Sequence, residues 1–188
     1  HQINGDMLAK LPFGRGQRLA GNANRVTDAL IGGWQLGGTT RWTSGFPWSA
    51  FMGYVWPTNW DEMGWANQVG PAPTEGASGY SMSQGSPNVF RNPTSALSAF
   101  DYAFPGQSGQ RNNLRGEGYF DTDMNLEKSF HIVEKQSFAI RWQVFNAFNN
   151  TRFDVQSIQD EQDAGAFGSY TGELSTPREM EFAGVYTF

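Results

Sequence analysis

The last nine residues, Met180 to Phe188, alternate without a break. Met180, Phe182, Gly184, Tyr186 and Phe188 fall on one face; Glu181, Ala183, Val185 and Thr187 fall on the other. A two-residue period marks a strand, because successive side chains leave a pleated backbone on opposite sides. One face is large and mostly aromatic, the other small or polar. Soluble chains rarely close on a bare aromatic strand, since termini fray into water. A strand of this kind calls for an apolar medium on one side.

The same grammar recurs upstream. It predicts strands at about 1–12, 33–48, 118–131, 136–147 and 178–188. In the third, Phe120, Thr122, Met124, Leu126 and Phe130 share a face interrupted only by Lys128, while Tyr119, Asp121, Asp123, Asn125, Glu127 and Ser129 share the other. Unpaired buried carboxylates are costly, so that second face does not suit an apolar core. It suits the wall of a water-filled lumen. Phe138, Ile140, Trp142 and Val144 alternate in the same way with Ala139, Arg141, Gln143 and Phe145. Sheets with lipid on one side and water on the other are the walls of transmembrane β-barrels.

Between the strands, residues 49–117 and 148–177 show no sustained period and are rich in Gly, Pro, Ser and Asn. Loops of that length are unusual in an ordinary compact domain but normal on the extracellular side of a barrel. Residues 24–31 fit a short helix, with Asn24 as N-cap and Gly32-Gly33 as the stop. Long loops follow the second and fourth strands, so the last strand runs inward to the periplasm and the first begins outside. The fold class is therefore all-β: an antiparallel transmembrane β-barrel segment of about five long meander strands, open over this stretch, with long extracellular loops and one short helix in a periplasmic turn. Five strands cannot close a barrel, which needs at least about eight. Together with the start at His1, this reads as the single C-terminal portion, residues 1–188, of a larger barrel in the outer membrane of a Gram-negative bacterium.

Composition excludes other classes. Fifteen Phe, seven Trp and 23 Gly go with a mean hydropathy of only −0.52, which suits alternating strands with polar loops. No run approaches the ~18 apolar residues of a membrane-spanning helix. The net charge of −5 argues against a nucleic-acid partner. No Cys is present and the two His, His1 and His131, are far apart, so no metal or cofactor is expected. No nucleophile elbow or phosphate-binding loop appears, and an enzyme is not expected.

The candidate residues divide by place. Asp121, Asp123, Glu127 and Arg141 are lumen-lining candidates; Asp121-x-Asp123 also has the form of a metal-binding pair, against which stands the plainer reading of a polar wall. Trp34, Phe120, Met124, Trp142, Phe182, Tyr186 and Phe188 are membrane-facing or girdle candidates. Trp56, Trp60 and Trp65, with Trp48, sit in the first long loop and could stack on a ligand or simply pack within the loop. Asp160-Glu161-Gln162-Asp163 offers carboxylates to calcium but lacks the full EF-hand spacing and glycine, and a solvated acidic loop is the simpler reading.

An ordered set of short motifs carries a family resemblance. Leu11-Pro12-Phe13-Gly14-Arg15-Gly16, Gly32-Gly33-Trp34-Gln35-Leu36, Ser44-Gly45-Phe46-Pro47, Pro105-Gly106-Gln107, Arg111-Asn112, Arg115-Gly116, Gly118-Tyr119-Phe120-Asp121-Thr122-Asp123, Lys128-Ser129-Phe130, Phe145-Asn146-Ala147-Phe148-Asn149 and Pro177-Arg178 follow one another here. The pattern resembles the C-terminal end of TonB-dependent outer-membrane receptors of the Oar-like type, which carry a carboxypeptidase-regulatory-like domain at their N-terminus. The resemblance implies a barrel of about 22 strands around an N-terminal plug and energy-coupled uptake of a large or scarce solute. It also implies partners: outer-membrane lipid, the TonB complex acting through the plug, the barrel-assembly machinery reading the strand that ends at Phe188, and an unidentified solute. A secreted all-β carbohydrate- or peptide-binding module is the alternative. It accounts for the Trp-rich loop but needs a second sheet to cover Phe120, Met124 and Leu126.

Overall fold

The computed structural model describes residues 1–53, 64–71, 81–83, 85–104, 106–133, 136–161 and 166–188. Its contacts divide the chain into two compact units. A sheet unit comprises Gln2–Trp42, Phe120–Asn150 and Thr176–Phe188; a loop unit comprises His1, Thr43–Tyr119 and Thr151–Ser175.

The sheet unit is built on β1 (Gln2–Lys10), β2 (Trp34–Thr43), β3 (Tyr119–Val133), β4 (Gln136–Phe145) and β5 (Glu179–Thr187). They lie side by side in chain order, a meander, and the sheet is open, with β1 and β5 at its edges. Nine or more residues per strand is the length a tilted barrel strand needs to cross the hydrocarbon layer, about 9–11.

Register turns sequence alternation into two faces. Trp142 lies between Leu126 of β3 and Phe182 of β5, and Phe138 between Phe130 and Tyr186. Arg141 lies between Glu127 and Ala183, and Gln143 between Asn125 and Glu181. A slip of one residue would exchange these two sets, so the pattern itself fixes the pairing. Cross-strand rings stack on the apolar face: Trp142 and Phe182 have centroids 6.1 Å apart with planes at 5°, and Phe130 and Phe138 are 6.5 Å apart.

The strands stop where the backbone is forced to. Alternation carries the second strand to about residue 48, but β2 ends at Thr43. Gly45 sits at φ +84°, and a Cβ there would meet the Glu117 carbonyl oxygen at 2.9 Å. Pro47–Trp48 then form a separate two-residue strand, paired with Leu114–Arg115 in the loop unit. β4 ends at Phe145 because Asn146 takes φ +47°. From there the Asn146 side chain donates to the carbonyls of Asn150 and Thr176, both at 2.9 Å, and accepts the Asn150 N–H at 2.8 Å. Asn149, at φ +54°, accepts the Arg178 N–H at 2.9 Å. Asn tolerates the left-handed region better than most residues, which gives the Phe-Asn-x-Phe-Asn motif a physical reason.

The expected helix is α1 (Arg25–Ile31), with Asn24 Oδ1 accepting the Thr27 N–H at 2.8 Å. Gly33 follows at φ +69°, where a Cβ would stand 2.6 Å from the Ser129 carbonyl oxygen.

The loop unit differs from its sequence reading. Residues 49–117 lack a period, yet the described part packs with 151–175 around one core: Trp48, Met52, Val89, Phe90, Phe100, Leu114, Ile158, Phe167 and Tyr170 are all buried. Phe90 and Phe167 stack at 5.4 Å, and Trp48 touches both rings at 5.8 and 5.9 Å. Short pieces of regular structure frame this core: Asn67–Gln68 against Phe100–Asp101, Ser81–Ser83 against Ser86–Asn88, and α2 (Pro93–Leu97). Asn88 holds the two segments together. Its buried amide donates to the Phe167 carbonyl at 2.9 Å and to Ser169 Oγ at 3.1 Å, and its Oδ1 accepts the Phe90 N–H at 2.7 Å.

Candidate functional site

The polar face of the sheet unit gathers the residues that alternation singles out. Asn4, Asp6, Thr39, Arg41, Asp121 and Asp123 line a groove of about 280 Å³. Asp123 Oδ1 accepts the Asn146 N–H at 2.9 Å, so the strand-end corner orients that carboxylate. Beside the groove, Gly37 leaves the space that the Asn125 side chain occupies. Further along, Arg141 closes on Glu127 through Nε at 2.9 Å and Nη2 at 2.7 Å, both to Oε2. The pair is partly exposed and in water would be worth about 0.2–1 kcal/mol; its clearer effect is to tie β3 to β4 in register. Among the described residues, no three or more Asp, Glu or His come close enough together to hold a metal ion.

The apolar face holds the girdle candidates at the surface. Phe120, Met124 and Trp142 are exposed, and Phe182, Tyr186 and Phe188 are more so, at 75, 50 and 92%. Trp34 is half-buried and donates its Nε1–H to the Leu30 carbonyl at 3.0 Å. Lys128, the one interruption in this pattern, is buried. Its ammonium donates to the Gly32 carbonyl and lies 5.6 Å from the centre of the Trp34 ring and 4.9 Å from that of Phe130. An apolar stretch can therefore carry this cation: a helix-terminal carbonyl and two aromatic faces take the place of water.

In the loop unit, the aromatic candidates separate. Trp48 belongs to the core, with Nε1 buried. Trp65 is half-buried under the Arg111 guanidinium, 5.1 Å from its ring centre. Trp56 and Trp60 lie outside the described residues, as do residues 162–163 of the acidic run. Asp160 accepts the Phe51 N–H on its backbone carbonyl at 2.7 Å. Burial pushes its carboxyl above the ordinary value; its own backbone N–H opposes this, and nearby Glu161 adds to it.

Alternation could not mark one further group. Glu117 is buried, and its backbone N–H donates to the Tyr170 hydroxyl at 3.2 Å, while its Oε1 accepts the Phe153 N–H at 3.4 Å. Burial raises the Glu117 carboxyl from 4.5, against the lowering pull of that N–H. Burial also pushes the Tyr170 hydroxyl up to about 12.

A two-faced antiparallel sheet of membrane-crossing strands defines the class: this is a segment of transmembrane β-barrel wall. The chain belongs to the outer membrane beta barrel domain family, whose model matches residues 1–181, and its place is the cell outer membrane. A search of the curated proteins and a search of the solved structures gave no match.

Proposed function

We propose that this chain is part of a TonB-dependent outer-membrane transporter or receptor, contributing barrel wall and extracellular loops that capture a large or scarce solute for energy-coupled uptake. The observation that carries the reading is the pair of faces on β3 to β5. Carboxylates and Arg141 stand on the side that would line a wet lumen, and stacked aromatics on the side that would meet lipid. The ordered motifs from Leu11 to Arg178 favour the Oar-like type. On this reading the sheet is one sector of a larger barrel, the loop unit is extracellular, and Trp65 with Arg111 is the best described ligand contact. Its partners are outer-membrane lipid, the TonB complex through a plug, the assembly machinery through the Phe188 strand, and the solute. On this reading the chain is not an enzyme.

Energy coupling is the property to test. Solute depletion from mixed medium is compared between cells with and without the protein, each with and without a protonophore. Uptake of at least one solute should be lost on deletion and equally on collapse of the proton gradient. Uptake that needs the protein but ignores the protonophore would make it a passive channel instead.

A further inference from the structure

The turn between β1 and β2 has a surface that neither the barrel wall nor ligand capture uses. It carries four basic residues, Lys10, Arg15, Arg18 and Arg25, against one acidic residue, Asp28, in a chain of net charge −5. Asp28 is turned inward, accepting the Arg15 backbone N–H at 2.5 Å. Apolar side chains stand exposed among the cations: Val26 at 72% and Leu30 at 69%, one helical turn apart on α1, and Phe13 and Leu19 in the loop before it. Exposed apolar residues scattered singly mean little, but a basic and apolar surface concentrated on one short helix and its lead-in is the composition of an interfacial element.

Its position fixes which interface. The C-terminal end of α1 is tied to the apolar face of the sheet, not the polar one. Lys128 reaches the Gly32 carbonyl from that face, and Trp34, on the same face, donates to Leu30. The surface of α1 is thus continuous with the one that meets lipid. We infer that the Lys10–Gly33 turn is a membrane-surface anchor: Val26 and Leu30 enter the headgroup region of the inner leaflet, and Arg15, Arg18 and Arg25 bind the phosphates of anionic glycerophospholipids. The inference rests on the proposed orientation, in which this turn is periplasmic.

The chain has no Cys, so an introduced thiol adds no background from this stretch. Leu30→Cys, or Val26→Cys as a second site, is labelled with a polarity-sensitive fluorophore in the full-length protein. The protein is placed in vesicles of phosphatidylethanolamine and phosphatidylglycerol that contain a headgroup-depth quencher, with parallel vesicles carrying an acyl-chain quencher for a Phe182→Cys control, whose cross-strand partner is Trp142. The label should be dry and quenched there, and wetter in phosphatidylcholine vesicles. Each Arg→Gln change at 15, 18 or 25 should lower the docked-to-undocked ratio about fivefold. A wet label at both sites, with label at Phe182→Cys quenched, overturns the anchor and leaves the barrel wall standing. Equal quenching in both vesicle types and in the arginine variants overturns phosphate binding. Unquenched label at Phe182→Cys overturns the lipid-facing surface itself. In intact cells, reaction of Leu30→Cys with a membrane-impermeant thiol reagent added outside would overturn the orientation.

Discussion

The two units use the same aromatic residues in opposite ways. In the loop unit they are inside: Phe90 and Phe167 are each 1% exposed. In the sheet unit they are outside, Phe182 at 75% and Phe188 at 92%, while its other face carries Asp121, Asp123, Glu127 and Arg141. One follows the rule for a protein dissolved in water, where apolar area is removed from solvent. The other follows the rule for a wall whose solvent differs on its two sides. An exposed aromatic is therefore informative only once the medium is known, and the register of β3, β4 and β5 is what supplies it.

The largest effect should come from the loop core. Phe167→Ala removes a ring that packs against Phe90, Phe100 and Trp48 and should cost about 3–5 kcal/mol. Limited proteolysis should then cut within 43–119 or 151–175 while the barrel keeps its gel mobility in unheated samples. Loss of the barrel at the same time would show that the units are not separable. Next is a charge on the apolar face. Trp142→Arg should destabilise by about 2–4 kcal/mol near the membrane midplane, whereas Ala139→Arg, on the opposite face, should cost well under half of that; urea unfolding in vesicles compares them. Equal penalties would erase the distinction between the faces.

Asn146→Ala breaks three side-chain hydrogen bonds and puts Ala at φ +47°, so about 2 kcal/mol should be lost from the end of β4, seen as faster exchange of the Asn150 amide, which loses its acceptor. Glu117 gives a pH dependence of known sign. Its carboxyl titrates higher folded than unfolded, so its contribution is fully present below the unfolded value near 4.5 and is lost as pH rises through the folded value. The loop unit should resist protease better at acid pH, and Glu117→Gln should flatten that profile and raise resistance at neutral pH. The smallest effect is that of Glu127→Gln, about 0.2–1 kcal/mol; a larger loss in the same urea assay would mean that the pair lies in drier surroundings than its exposure indicates.

The sheet was legible in the sequence because both of its solvents write on it. Alternation placed Asp121 and Phe120 on opposite faces, and the pairing of Trp142 with Phe182 follows from the same parity. Helix α1 was legible from Asn24 and Gly32-Gly33, whose roles are local. Lys128 was visible only as an exception, because its partners, Gly32 and Trp34, are nearly a hundred residues away. The loop unit was not legible. Its core draws single residues such as Met52, Phe90, Leu114 and Phe167 from irregular backbone, and a core without a period leaves no signal in a sequence window. Of the candidate site, the polar groove was legible in its β3 half alone; Asn4, Asp6, Thr39 and Arg41 join it through pairing. The Glu117–Tyr170 contact has no local signature at all.

The bonds of Asn88 also bear on the order of assembly. Asn88 and Ser169 are 81 residues apart along the chain, with β3 and β4 between them, and closing so long a segment is slow compared with pairing neighbouring strands. β3 and β4 are only two residues apart in the chain, so they can pair while both halves of the loop unit are still unpaired polypeptide. The segments 43–119 and 151–175 must then meet afterwards, with Phe90 and Phe167 uncovered in the interval. Uncovered aromatic rings of that kind offer a surface to protease and to association.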